Sequence, residues 1–158
     1  AGVAKVTFQV AAGETDKSGG GSGMVSLPLQ TVKDFINLSH RHMYFVCYSL
    51  WIDDEFIDRL HRAGKYVCIE TNGTRPLPEA IDWVTCSPKQ GVKLGIDRMD
   101  EVKVVYEGQD ISIYELLPAE HFFLQPCSCN NTASTVDCVM RHPKWRLSLQ
   151  THKLIDIR

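Results

Sequence analysis

Met43–Ile69 reads MYFVCYSLWIDDEFIDRLHRAGKYVCI, and this stretch decides the fold. Met43 to Tyr48 is an unbroken apolar and aromatic run, the composition of a buried strand. Asp53 to Ala63 then places Phe56, Ile57 and Leu60 on one face of a helix. Asp53 or Asp54 suits the N-cap, and Gly64 suits the C-terminal stop. Lys65 to Ile69 is the next strand. Strand, helix, glycine and strand in this order form a βαβ unit, which implies parallel pairing and a right-handed crossover.

Working outward toward the C-terminus, Pro76 and Pro78 mark a loop and Ile81 to Cys86 a short strand. Glu101–Tyr106 reads as another strand, and His121–Pro126 as a strand ending in a polar loop. Ile111 to Leu117 is short and helical before Pro118. Thr132 to Arg141 is a helix, with Thr132 or Ser134 as its cap. Trp145 to Gln150 alternates and reads as the last long strand. Toward the N-terminus, Leu29 to His40 suits an amphipathic helix with Val32, Phe35 and Ile36 on one face, and Lys5 to Val10 suits a strand. Between them Ser18-Gly19-Gly20-Gly21-Ser22-Gly23 has linker composition and runs straight into Met24. Residues 1–23 therefore read either as a tag or linker segment or as a native glycine-rich loop, and residues 24–158 as one domain. The fold class is α/β with a mostly parallel sheet.

Bulk properties narrow the function. The chain has 158 residues and a formal net charge of −2, so nothing drives it toward nucleic acid. No apolar run approaches the ~20 residues of a membrane span. No secretory leader opens the chain, which favours a cytoplasmic address and reduced thiols over a disulfide framework. Cys68 and Cys86 lie in strand-like runs and read as small core residues.

In parallel α/β proteins the C-terminal ends of strands carry the chemistry. Four such ends carry polar clusters here: Glu70-Thr71-Asn72-Gly73-Thr74, Ser87-Pro88-Lys89, Gln125-Pro126-Cys127-Ser128 and Gln150-Thr151-His152-Lys153. Parallel strands would bring them to one rim. Carboxamides such as Asn72 and Gln125 can read a heterocycle or an amino-acid group through paired hydrogen bonds. Ser87 and Lys89 suit a carboxylate or a ribose, and His152 an anion or a proton transfer. Any one cluster alone is also what a turn or a helix cap looks like. Cys127, Cys129, Cys138 and His142 make C-x-C-x8-C-x3-H, ligand types that zinc prefers, although the C-x-C spacing is tighter than a usual zinc knuckle. No catalytic residue stands out.

These pieces carry a resemblance. Ile69–Thr74, Ile81-Asp82-Trp83-Val84, Ser87-Pro88-Lys89, Phe123-Leu124-Gln125-Pro126 and Trp145–Lys153 resemble, in this order, the 7-carboxy-7-deazaguanine synthase family of radical S-adenosylmethionine enzymes. The resemblance runs over about residues 49–158, and the N-terminal part does not match. It implies an incomplete (β/α) barrel. It implies conversion of 6-carboxytetrahydropterin, the pterin substrate, to 7-carboxy-7-deazaguanine with loss of ammonia, as a step of queuosine biosynthesis. The cofactors implied are S-adenosylmethionine, a 4Fe–4S cluster and Mg²⁺. Carried over by position, the adenosylmethionine contacts fall on Ser87, Pro88, Lys89, Gln125, Pro126, Cys127 and Ser128. The substrate side falls on Glu70, Thr71, Asn72, His152 and the final residue, Arg158, where some members have proline.

The sequence departs from that family where the iron should sit. A C-x3-C-x2-C triplet is required, and none stands before Cys47, the first cysteine. Tyr44–Tyr48 replaces the family's Gly-Gly-Glu-Pro strand end. Without the cluster no electron reaches the sulfonium. Two classes of function follow: a family member whose polypeptide, as it stands, is inactive, or a cluster-free purine-, pterin- or zinc-binding module. An absent half-barrel would also leave strands uncovered, so a homodimer or self-association is expected.

Overall fold

The computed structural model describes residues 7–9, 42–47 and 52–154, the first two stretches as backbone strands only. The expected helix over Leu29–His40 and the glycine-rich run lie outside these residues. The chain divides into two units, residues 1–71 with 76–83 and residues 72–75 with 84–158.

In the first unit, β1 (Thr7–Gln9), β2 (His42–Cys47) and β3 (Tyr66–Thr71) pair in parallel and in chain order. Helix α1 (Asp54–Arg62) joins β2 to β3. Its start is the expected one: Asp53 Oδ1 accepts the Phe56 N–H at 2.8 Å. Phe56, Ile57 and Leu60 are its buried face. Gly64, at φ 71°, takes the left-handed turn that releases the chain into β3. Asp82 closes this unit by accepting the Val67 N–H at 2.7 Å and contacting His61 Nε2 at 2.7 Å.

In the second unit, β4 (Trp83–Cys86, from its second residue on), β5 (Glu101–Tyr106), β6 (His121–Pro126) and β7 (Trp145–Leu147) again pair in parallel and in chain order. Alternate residues of β5 and β6 are buried, among them Val102, Val104, Phe122 and Leu124. That is the period of a sheet packed harder on one face. Cys68 and Cys86 are core residues, as expected. Trp145 packs edge-on to Phe122, with centroids 5.5 Å apart, and its Nε1–H donates to Glu115 at 2.7 Å.

Strand order that follows chain order is the winding of a barrel; a doubly wound sheet reverses direction at its first strand. The fold class is therefore the expected one, α/β with open parallel sheet of partial-barrel type.

The short helix expected before Pro118 is a 3-10 helix over Ser112–Leu116, led by an Asp110 carboxylate that accepts both the N–H and the hydroxyl of Ser112. Two details differ from the sequence reading. The last strand stops at Leu147, not Gln150. Ser148 still donates to the Leu124 carbonyl at 2.9 Å, but continuing that register sets Leu149 opposite Pro126, which has no N–H. The chain turns instead into α3 (Thr151–Leu154). Finally, α2 (Thr132–Arg141) starts from Asn131, not from Thr132 or Ser134. No helix among the described residues is long and apolar enough to cross a membrane.

Candidate functional site

The second unit places polar turns at the C-terminal ends of β4, β5, β6 and β7. The first turn is built on glycine. Asn72–Arg75 belongs to this unit and lies against the end of β4. Gly73 has φ 75°, and a Cβ there would stand 2.8 Å from Cys86 Sγ and 2.9 Å from Leu94 Cδ2. Its carbonyl accepts the Gly95 N–H at 2.7 Å. Only a residue without a side chain fits both the angle and the space. Asn72 Oδ1 accepts the Thr74 N–H at 3.1 Å and the Thr74 hydroxyl at 2.8 Å. Its carboxamide oxygen therefore serves a local Asx turn and is not offered to a heterocycle. Burial pushes the Cys86 thiol up to about 11, so it stays neutral beside the turn. Ser87 and Pro88 are buried, while Lys89 is exposed.

At the end of β6, Gln125 is half-buried, Pro126 is buried, and Cys127–Cys129 forms a 3-10 turn with Ser128 at φ 47°. A non-glycine residue in that region needs support from its surroundings. Asn131 supplies it. Its Oδ1 accepts the Cys127 N–H at 2.8 Å, and its Nδ2 donates to the Tyr106 carbonyl at 2.7 Å. One side chain thus ties the end of β5 to the turn after β6.

The end of β5 adds a group that sequence reasoning missed. Glu107 Oε1 accepts the Cys127 thiol at 3.5 Å, and this bond, followed by burial and the carboxylate's charge, raises the thiol's pKa. Gln109 holds Glu107 in place, accepting its N–H at 2.6 Å and donating to the Val105 carbonyl at 2.7 Å. Gly108, at φ 95°, was the available signal of a tight turn directly after a strand. Asn131 was missed too, because the strand end it reaches, at Tyr106, is 25 residues away in sequence.

The remaining candidates fall as follows. Glu70 and Thr71 lie inside β3, in the first unit, with Thr71 buried. His152 lies on α3, beside the Cys127–Cys129 turn, and Arg158 lies outside the described residues. Cys138 Sγ is 3.7 Å from His142 Nδ1, but that nitrogen sits 2.8 Å from the Cys138 carbonyl. A carbonyl only accepts, so Nδ1 carries the proton and has no lone pair to give. Among the described residues no three His, Cys, Asp or Glu side chains gather where they could hold a metal ion. The side chain of Cys129 lies outside those residues.

The arrangement defines a class: a parallel, barrel-wound α/β protein whose strand C-termini form a polar rim. A scan against models of known families finds no match. Curated relatives do match. Over 110 residues the chain is 94% identical to a 7-carboxy-7-deazaguanine synthase of Bacteroides thetaiotaomicron, covering 70% of this chain and 60% of that protein. It is 44% identical over 116 residues to one of Bradyrhizobium diazoefficiens, covering 69% of this chain and 55% of that protein. It is 40% identical over 126 residues to one of Burkholderia multivorans, covering 73% of this chain and 60% of that protein. Through this stretch the chain belongs to the 7-carboxy-7-deazaguanine synthase family. It spans 55% to 60% of the length of these relatives.

Proposed function

We propose that residues 49–158 are the adenosylmethionine- and substrate-facing part of a 7-carboxy-7-deazaguanine synthase, and that these 158 residues alone bind ligand without turning it over. The observation that carries this is the 94% identity over 110 residues to a protein of that name. Ser87, Pro88 and Lys89 would hold adenosylmethionine from one side, and Gln125, Pro126, Cys127 and Ser128 from the other. By the carried-over positions Glu70, Thr71, His152 and Arg158 would serve the pterin, and Asn72 would do so only through its Nδ2 donor, its oxygen being held by Thr74. When bound, the cluster supplies the electron that opens adenosylmethionine, and Mg²⁺ supplies charge for the substrate. The described residues do not fit the cluster. Cys68, Cys86 and Cys138 are buried, Cys127 is engaged with Glu107, and no three of them gather. The same reading makes the protein cytoplasmic, with a small-molecule partner and a tendency to self-associate that light scattering would detect.

The test is anaerobic reconstitution with iron and sulfide, followed by adenosylmethionine. The expected result is no visible charge-transfer band and no 5′-deoxyadenosine, with S-adenosylhomocysteine binding measurable by calorimetry. Cleavage of adenosylmethionine would overturn the inactive half of the reading. Absence of any binding would overturn the other half.

A further inference from the structure

Gln150 Oε1 is fully buried, and no hydrogen-bond donor reaches it among the described residues. Folded chains pair such atoms almost without exception, and each one left over calls for a reason. The backbone around it is in order. Its own carbonyl accepts the Lys153 N–H at 2.9 Å, and Ser148 two residues earlier is bonded to Leu124. Three other carboxamide oxygens near these strand ends are committed. Asn72 serves Thr74, Gln109 serves Glu107, and Asn131 serves Cys127. Gln150 differs from them in having an acceptor that is desolvated and open.

Its position fits a ligand. β7 lies next to β6, and the helix that Gln150 introduces packs on the Cys127–Cys129 turn. Gln150 thus directly precedes a helix that packs on the turn braced by Asn131. A carboxamide oxygen can only accept, so its missing partner is an N–H or O–H donor.

We propose that Gln150 Oε1 accepts the exocyclic amino group of a planar amino-heterocycle bound against the Cys127–Cys129 turn. This rests on the ligand-binding reading above, under which two molecules carry that chemistry: the adenine of an adenosyl ligand and the 2-amino ring of a pterin. A ligand supplies the donor that none of the described residues offers, so Gln150 selects for the amino group.

The test measures binding of S-adenosylhomocysteine and of 6-carboxypterin to the full chain by calorimetry, for wild type, Gln150→Leu and Gln150→Glu. Melting temperature is read alongside. Gln150→Leu should lose about ten-fold for the ligand whose amino group is read, and little for the other. Gln150→Glu keeps acceptor oxygens and should retain binding of that ligand. Removing an unpaired acceptor should leave the melting temperature unchanged or higher, which loss of a structural bond would not do. Binding of both ligands unchanged in Gln150→Leu overturns the inference, as does a lowered melting temperature with equal loss for both. If wild type binds neither ligand, the reading above falls and this inference with it. If wild type binds and Gln150→Leu binds equally well, only this inference falls.

Discussion

Val67 and Asp82 hold each other by two opposed hydrogen bonds. The Val67 N–H donates to Asp82 Oδ2 at 2.7 Å, and the Asp82 N–H donates to the Val67 carbonyl at 3.0 Å. The same clamp recurs one strand later. The Val84 N–H donates to Asp100 Oδ2 at 2.7 Å, and the Asp100 N–H donates to the Val84 carbonyl at 2.9 Å. In each case an aspartate just before one strand grips the second residue of the strand before it. Each carboxylate also faces a side-chain nitrogen, His61 Nε2 at 2.7 Å from Asp82 and Arg98 Nη2 at 3.7 Å from Asp100. Both clamps sit at strand N-termini, the end that serves stability in barrel folds. Asp82→Ala and Asp100→Ala should each lose about 2 kcal/mol in urea unfolding, the value of a hydrogen bond to a charged group. Asparagine at either position keeps an acceptor and should recover part of the loss. S-adenosylhomocysteine affinity should stay within a factor of two, and a large fall would place these residues in the binding site instead.

Asn131 should behave differently, because it acts at the opposite end. Asn131→Ala removes two part-buried bonds, to Cys127 and Tyr106, and should cost about 2 kcal/mol. Asn131→Asp keeps the acceptor for the Cys127 N–H but turns an oxygen toward the Tyr106 carbonyl, so it should rescue little. Both should weaken S-adenosylhomocysteine binding, measured by calorimetry under conditions where the variants remain folded. Full affinity in Asn131→Ala would show that the Cys127–Cys129 turn does not depend on this brace.

The Glu107 carboxylate keeps the Cys127 thiol protonated, since the bond between them and the negative charge both disfavour thiolate. Glu107→Gln removes the charge. The Cys127 pKa should fall, the thiolate fraction at pH 8 should rise, and alkylation by iodoacetamide should accelerate. Rates followed against pH, with peptide mapping by mass spectrometry, give the answer. Cys86, buried and pushed up to about 11, is the internal control and should stay unmodified while the chain is folded. An unchanged pH–rate profile at Cys127 would remove Glu107 from its surroundings.

How legible this molecule is in its sequence depends on the range of the interaction concerned. Helix α1 was readable in full, because Asp53, the Phe56–Ile57–Leu60 face and Gly64 are local signals. So were β5 and β6, where residue alternation is the burial pattern. The end of β7 was not, because alternation continues through Leu149 and the obstacle, Pro126, is on the neighbouring strand. Gly73 was visible as part of a polar cluster, but the reason it is glycine lies in Cys86 and Leu94, which only the fold brings near. Asn131 was hidden for the same reason. It resembles a helix cap, and its side chain is used on two other elements.

That use has a cost for α2. With the Asn131 side chain turned away, no side-chain cap closes the helix start. The hydroxyls of Ser134 and Thr135 turn back to the Asn131 carbonyl, at 3.0 and 2.9 Å. The first turn of the helix is therefore the part that frays, and the irregular segment before it is the part that holds. In amide exchange the usual ranking inverts here, with the Cys127 N–H outlasting those at the head of α2.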